Sequence, residues 1–258
     1  MKRTIVVFLV TIFSAVLGFA QTAELLDTEY EPFAGAKGNT LWCEIVNSAL
    51  AREGVEVKWT SLPNDRAKTK VSDGANVAFL SGTLVVSQAE KPNFLMNDNP
   101  LIYLNVIAIY PREKYTAGLG IKSAADLKGK TVGVILGTGS IAVLQKAGAI
   151  LDIANDKDLL IKKLIAGRYD IAVVGDLVGL DAIQALYPDK VDAYKYESVY
   201  NSPIDLIFSA KSPDATELKR KFDSGIAKIK ADGTFVKILA KYYPKGQVNR
   251  NILPKDMQ

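Results

Sequence analysis

Apolar positions along the chain switch between two periods. "AELLDTEY", "VEVKW" and "NVAFL" carry the short alternating or continuous apolar runs of strands. Between them the period lengthens: Leu41, Trp42, Ile45, Val46, Ala49 and Leu50 share one helical face, with Asn39 or Thr40 available as cap and Gly54 as stop. "LPNDRAKTKVSDG" reads as a shorter helix, with proline near its start and glycine at its end. "NVAFL" runs into a tight turn at Ser81-Gly82-Thr83. This alternation predicts parallel strands joined by helices, and such sheets hold ligands beyond the carboxyl ends of their strands.

"LIYLNVIAIY" is too long and too apolar for a loop and reads as an extended segment leaving this unit. A second alternating unit follows. "SAADLKGK" is a short capped helix, "TVGVIL" a strand, "GSIAVLQKAGA" and "DKDLLIKKLIAGR" helices, "YDIAVVG" a strand and "DLVGLDAIQAL" a helix. "SPIDLIFSA" is again extended. Two helices close the pattern, one presenting Leu218, Phe222, Ile226 and Ile229, the other Phe235, Ile238, Leu239 and Tyr242. Two units crossed twice by extended chain predict a two-lobed α/β protein that closes by hinge motion on a ligand in a central cleft.

The N-terminal "MKRTIVVFLVTIFSAVLGFAQT" has a basic pair, an apolar run and small residues at Gly18 and Ala20. It reads as a secretory signal peptide, residues 1–20, cleaved near Ala20. The apolar run is shorter than the roughly 20 residues of a spanning helix, and no cysteine follows it to carry a lipid. Removing Lys2 and Arg3 takes the formal charge from +4 to +2, which gives no footprint for nucleic acid or membrane. Cys43 is the single cysteine, so no internal disulfide forms; inside a helical pattern, it reads as a small buried thiol rather than a reactive one. The chain has no histidine, which removes Ser-His and Cys-His nucleophile pairs and every histidine-dependent metal site. Neither a cofactor nor a metal is expected.

"GVILGTGS", residues 133 to 140, ends a strand in glycines and hydroxyls where a helix begins. It lacks the lysine of a phosphate-binding P-loop and the third glycine of a dinucleotide fingerprint. Exposed amides with the Thr138 and Ser140 hydroxyls suit an anionic or strongly polar group, or simply cap the helix. Together with "YEPFAG", "LPNDRAKTKVSDG", "DLKGKTVGV", "LIAGRYDIAVVGD" and "ADGTFVKILAKYYPKG", this block resembles the extracellular solute-binding proteins of family 3, the type 2 periplasmic binding proteins of amino-acid-type ABC importers. The resemblance runs over nearly all of the chain after residue 20. It implies lobe 1 from residues 21–102 and 205–258, lobe 2 from residues 103–204, and a monomer that passes its solute to a membrane permease.

The resemblance also implies ligand-binding positions. Thr138, Gly139 and Ser140 match the turn that donates to a ligand carboxylate. Asp176 matches an acidic residue that holds an α-amino group, though the interval from Asp170 is one residue longer than usual; it can equally cap the helix that follows. Tyr30 and Phe33 flank Pro32 where relatives place an aromatic, with a packed turn as the alternative. Ser81, Gly82 and Thr83 match a turn offering backbone and hydroxyl groups. Asn64, Asp65 and Arg66 open the second helix near the cleft edge, either as ligand contacts or as solvated groups. One departure is pronounced: "GTLVVSQAEKPNFLMNDNP" contains no arginine where amino-acid binders carry the fork that clamps the α-carboxylate, and Lys91 supplies only a point charge. Two competing readings share the scaffold. One is a secreted lyase similar to cyclohexadienyl dehydratases, working through Glu31, Asp65 or Asp176; the other is a soluble sensor docking on a signalling receptor.

Overall fold

The structure, a computed structural model, describes residues 21–243 and 250–258. The segment read as a signal peptide, residues 1–20, lies outside the described residues. The first unit runs β1 (Gln21–Asp27), α1 (Leu41–Ala51), β2 (Val55–Ser61), α2 (Asn64–Ser72) and β3 (Ala78–Gly82). A two-residue strand β4 (Phe94–Leu95) precedes the long β5 (Ile102–Pro111). The second unit runs β6 (Thr131–Ile135), α3 (Ser140–Lys146), β7 (Ile150–Ala154), α4 (Lys157–Ile165), β8 (Ile171–Gly175) and α5 (Asp176–Leu186). The 16-residue β9 (Tyr194–Ser209) then leads to α6 (Ala215–Ala231) and α7 (Thr234–Tyr242).

These strands form one continuous sheet in the order β2-β1-β3-β9-β5-β8-β6-β7, with β4 beside β9. Within each unit the first strand lies between the other two and pairs with both in parallel. β5 and β9 run antiparallel through the middle, from Ile102 opposite Ile204 to Pro111 opposite Tyr194. β9 continues along β3, from Ile204 opposite Gly82 to Phe208 opposite Ala78. The two extended apolar segments are thus the crossovers, and Ile102 and Ile204 face each other across the ladder.

The helical faces read from the sequence are buried. Leu41, Trp42, Ile45, Val46, Ala49 and Leu50 are all in the core, as are Leu218, Phe222, Ile229, Phe235, Ile238 and Leu239; Ile226 and Tyr242 are half-buried. α1 meets α6 closely enough that a methyl group on Gly225 would stand 2.0 Å from the Ala49 carbonyl oxygen. Cys43 is fully buried and burial pushes its thiol up to about 11, the inert state its pattern implies.

Three local expectations are corrected. Ser81 and Gly82 belong to β3, where they pair with Asp205 and Ile204, so the tight turn is the single 3-10 turn Thr83–Val85 beyond them. β9 starts eight residues before "SPIDLIFSA", because Tyr194 to Tyr200 pairs with β5 despite its polar residues. β7 is an additional strand: its five residues start two positions after Gly148, and Ile150 and Ile153 are exposed at the sheet edge, so no amphipathic period marks it.

Asp205, on β9, is fully buried. Its carboxylate accepts from the backbone amides of Asn97 at 3.1 Å and Leu206 at 2.9 Å, and tethers the crossover to the segment before β5. Burial pushes its pKa up to about 7, against the partial relief of these two bonds. The folded protein therefore holds a proton there that the unfolded chain has released, and the stability contributed by Asp205 is largest below about pH 4 and falls as pH rises towards 7. In urea titrations Asp205→Asn is expected to be the less stable protein at pH 5, with the gap to wild type narrowing by pH 8. Parallel stability curves across that range would refute this.

Candidate functional site

The carboxyl ends of β1, β2 and β3 face those of β6 and β7 across a cleft of about 1140 Å³. From the first unit it is lined by Thr28 to Glu31 after β1, Ser61 to Asp65 after β2, and Ser81 and Gly82 at the end of β3. From the second it is lined by Ile135 to Ile141 after β6 and Asn155 to Lys157 after β7. Trp42 supplies a wall, and the crossovers supply Leu104, Val106, Ser202 and Ile204.

Of the residues singled out in the sequence, the fold brings Tyr30, Ser81, Gly82, Thr138, Gly139 and Ser140 together in this cleft, with Asn64, Asp65 and Glu31. It does not bring four others there. Phe33 is buried behind the wall, its ring stacked on Trp42 at 4.9 Å, because the β1–α1 segment folds it into the core of the first unit. Arg66 is exposed on α2, outside the cleft lining, as helical geometry turns it away from Asn64. Thr83 is half-buried and starts the 3-10 turn outside the lining.

Asp176 is the first residue of α5 and lies outside the cleft lining, 8 % exposed. Its Oδ1 accepts from the Leu177 amide at 2.8 Å and the Tyr243 hydroxyl at 3.3 Å, and the Asn105 side chain is a further donor. Burial raises its pKa above the carboxylate range, these bonds opposing. Gly175, not Asp176, is the cap of α5. Asp176 thus ties α5 to β5 and to the end of α7.

Hydroxyl groups in the cleft are organised by hydrogen bonds within and between the units. Ser81 Oγ donates to Asn64 Oδ1 at 2.6 Å, and Asn64 Nδ2 donates to the Gly137 carbonyl at 3.0 Å, so one relay joins β3, α2 and the turn after β6. The Gly175 amide donates to Tyr30 Oη at 3.1 Å, leaving the phenol proton for another acceptor. Burial pushes that phenol far above its usual range, so it stays protonated. Tyr200 Oη donates to Ser140 Oγ at 2.8 Å, leaving the Ser140 proton free to donate onward. Thr138 Oγ1 instead donates back to the Ile135 carbonyl at 2.8 Å. At Gly139 an added methyl group would stand 3.1 Å from Leu84 Cβ, so the two units touch here and the cleft is closed along this side.

Asn64 and Trp42 are the residues whose roles the sequence understates. Trp42 reads as one more core position of α1, yet it stacks at 6.2 Å on Tyr30 and borders the cleft. Below them Asp27, at the end of β1, is fully buried; one oxygen accepts from Ser61 Oγ and the other has no hydrogen-bond partner. Burial raises its pKa, with the neighbouring Glu29 adding to the rise. Among the described residues no group of His, Cys, Asp and Glu could hold a metal ion.

Neither the family models nor the curated proteins contain a match to this chain. Solved structures do resemble it. An ancestral arginine-binding protein bound to arginine is 22 % identical, covers 86 % of this chain and 98 % of its own, and superposes with a TM-score of 0.66. A histidine kinase sensor domain with similarity to periplasmic binding proteins is 16 % identical over 86 % of this chain and 96 % of its own, with a TM-score of 0.69. The substrate binding protein of an amino acid ABC transporter is 18 % identical over 87 % and 100 %, at 0.63. These likenesses show the fold: the chain has the two-lobed α/β architecture of periplasmic binding proteins, as its resemblance to the family 3 solute-binding proteins implies.

Replacing Asn64 with alanine removes the relay that spans the cleft. Small-angle scattering of the unliganded Asn64→Ala protein is expected to give a larger radius of gyration than wild type, at a stability cost of about 1 kcal/mol. An unchanged scattering curve would mean that the bond to Gly137 does not hold the units together.

Proposed function

We propose that this chain is a solute-binding receptor of the family 3 kind, secreted to the periplasm by cleavage near Ala20. It captures a small polar metabolite between lobe 1 (residues 21–102 and 205–258) and lobe 2 (residues 103–204), and presents it as a monomer to the membrane permease of an ABC importer. The observation that carries this reading is the cleft itself, because strand-end turns from both units line it and only a ligand touching both can tie closure to binding. The likeness to a transporter's substrate binding protein supports the permease as partner. Among the described residues no helix is long and apolar enough to cross a membrane.

In this reading Tyr30 and Ser140 donate their free hydroxyl protons to the solute, one from each unit. Ser81, Gly82 and Gly139 shape the space around it, and Thr138 holds the turn through Ile135. Phe33 and Asp176 act from behind, the first by stacking on Trp42 and the second by fixing α5. A second reading, the sensor, has specific support in the equally good superposition on a histidine kinase sensor domain. Both readings bind a solute and differ only in the membrane partner.

Thermal unfolding of the secreted chain against amino acids, polyamines, carboxylates, aromatic acids and nucleosides tests the shared claim. A true solute at 100 times its Kd adds about 2.7 kcal/mol and raises Tm by several degrees. Tyr30→Phe and Ser140→Ala are each expected to reduce that rise, with binding at least tenfold weaker. A responding solute that the protein converts to product would replace the receptor with an enzyme, and a panel without any response would remove the proposed function.

A further inference from the structure

The cleft has the opposite charge to the protein. The whole chain carries +4, yet the groups lining the cleft are four carboxylates, Glu29, Glu31, Asp65 and Asp156, against two ammonium groups, Lys37 and Lys157, a formal −2. Low-dielectric walls concentrate such a field within a cleft, so its sign selects what enters.

The positive groups are also poorly placed to hold an anion. Lys157 borders a smaller side pocket of about 260 Å³ with Glu31 and Asp181, and its charge acts on the Asp181 carboxylate. Lys37 is exposed at the rim. Among the described residues no arginine lines the cleft. The Thr138 hydroxyl, which could have met a carboxylate, turns back onto Ile135.

The aromatic wall complements the acidic one. Glu29 and Glu31 flank Tyr30 in sequence, all three line the cleft, and the Tyr30 ring stacks on Trp42, which lines it too. Carboxylates beside tyrosine and tryptophan stabilise an organic cation twice, by Coulomb attraction and by the ring quadrupoles. The neutral donors that remain, the Tyr30 and Ser140 hydroxyls, suit an uncharged oxygen at its other end.

We propose that the solute is a small organic cation, an ammonium or guanidinium compound, held without any ion pair to a ligand carboxylate. This rests on the receptor reading and narrows it. Glu29 and Glu31 attract the cationic group, Tyr30 and Trp42 bound it, and both turns contribute neutral hydrogen bonds.

Calorimetric titration with matched probes tests it: agmatine against arginine, cadaverine against lysine, choline against glycine betaine, and glutamate as the anion. In at least one pair the member lacking the carboxylate is expected to bind at least as tightly as its partner, with glutamate at least 100-fold weaker. Replacing both Glu29 and Glu31 with glutamine is expected to weaken that cation at least tenfold without lowering the thermal melt of the free protein, since both side chains are exposed and Glu29 repels the buried Asp27 carboxylate. Binding of the carboxylate-bearing members at least tenfold more tightly, or of glutamate comparably, overturns the cation inference and leaves the receptor intact. No binding by any probe overturns the cation inference; the wider Tm panel then decides the receptor reading separately.

Discussion

The antiparallel ladder between β5 and β9 is the constraint on which the rest depends. Two crossovers leaving one unit for another would expose unpaired backbone N–H and C=O groups unless they found each other. Here they pair from Ile102 opposite Ile204 to Pro111 opposite Tyr194, and join two three-stranded parallel sheets into one. That join aims the carboxyl ends of both parallel sets at each other, and the cleft follows. The register slips once, between Val106 and Ile107, where Val199 is the extra residue of β9. Such a bulge adds local twist to the strands that join the two units.

What the cleft can hold follows from which polar groups are already committed. The Ser81 hydroxyl and the Asn64 amide serve the relay to Gly137, and Thr138 serves its own turn. Tyr30 and Ser140 accept from protein donors and keep a proton to give. The cleft therefore offers a solute neutral donors set in an acidic, aromatic surround. The missing arginine is consistent with that arrangement, because a guanidinium would cancel the field that Glu29 and Glu31 provide.

Much of the fold was legible because its elements obey simple periods. α1, α6 and α7 show their buried faces as clean i, i+3, i+4 patterns, and both crossovers stand out as apolar runs too long for loops. β7 and the first half of β9 were illegible for the opposite reason. Edge position exposes Ile150 and Ile153, and Tyr194 to Tyr200 is extended because β5 pairs with it, which local sequence does not encode. The site divided similarly. Residues at the ends of β1, β2, β3, β6 and β7 reached the cleft, since the parallel topology of each unit points those ends towards it. Phe33, Arg66, Thr83 and Asp176 did not, because one helical step or one turn decides which way a side chain points, and that is set by packing. Trp42 was hidden by belonging to both core and cleft.

The central claim is that one solute is gripped by both units at their strand ends. Backbone hydrogen exchange, compared with and without the most stabilising compound, tests it most directly. Slowed exchange is expected together at residues 28–31 and 81–82 of the first unit and 137–140 of the second. Protection confined to one unit, or appearing instead along α6 and α7, would contradict it.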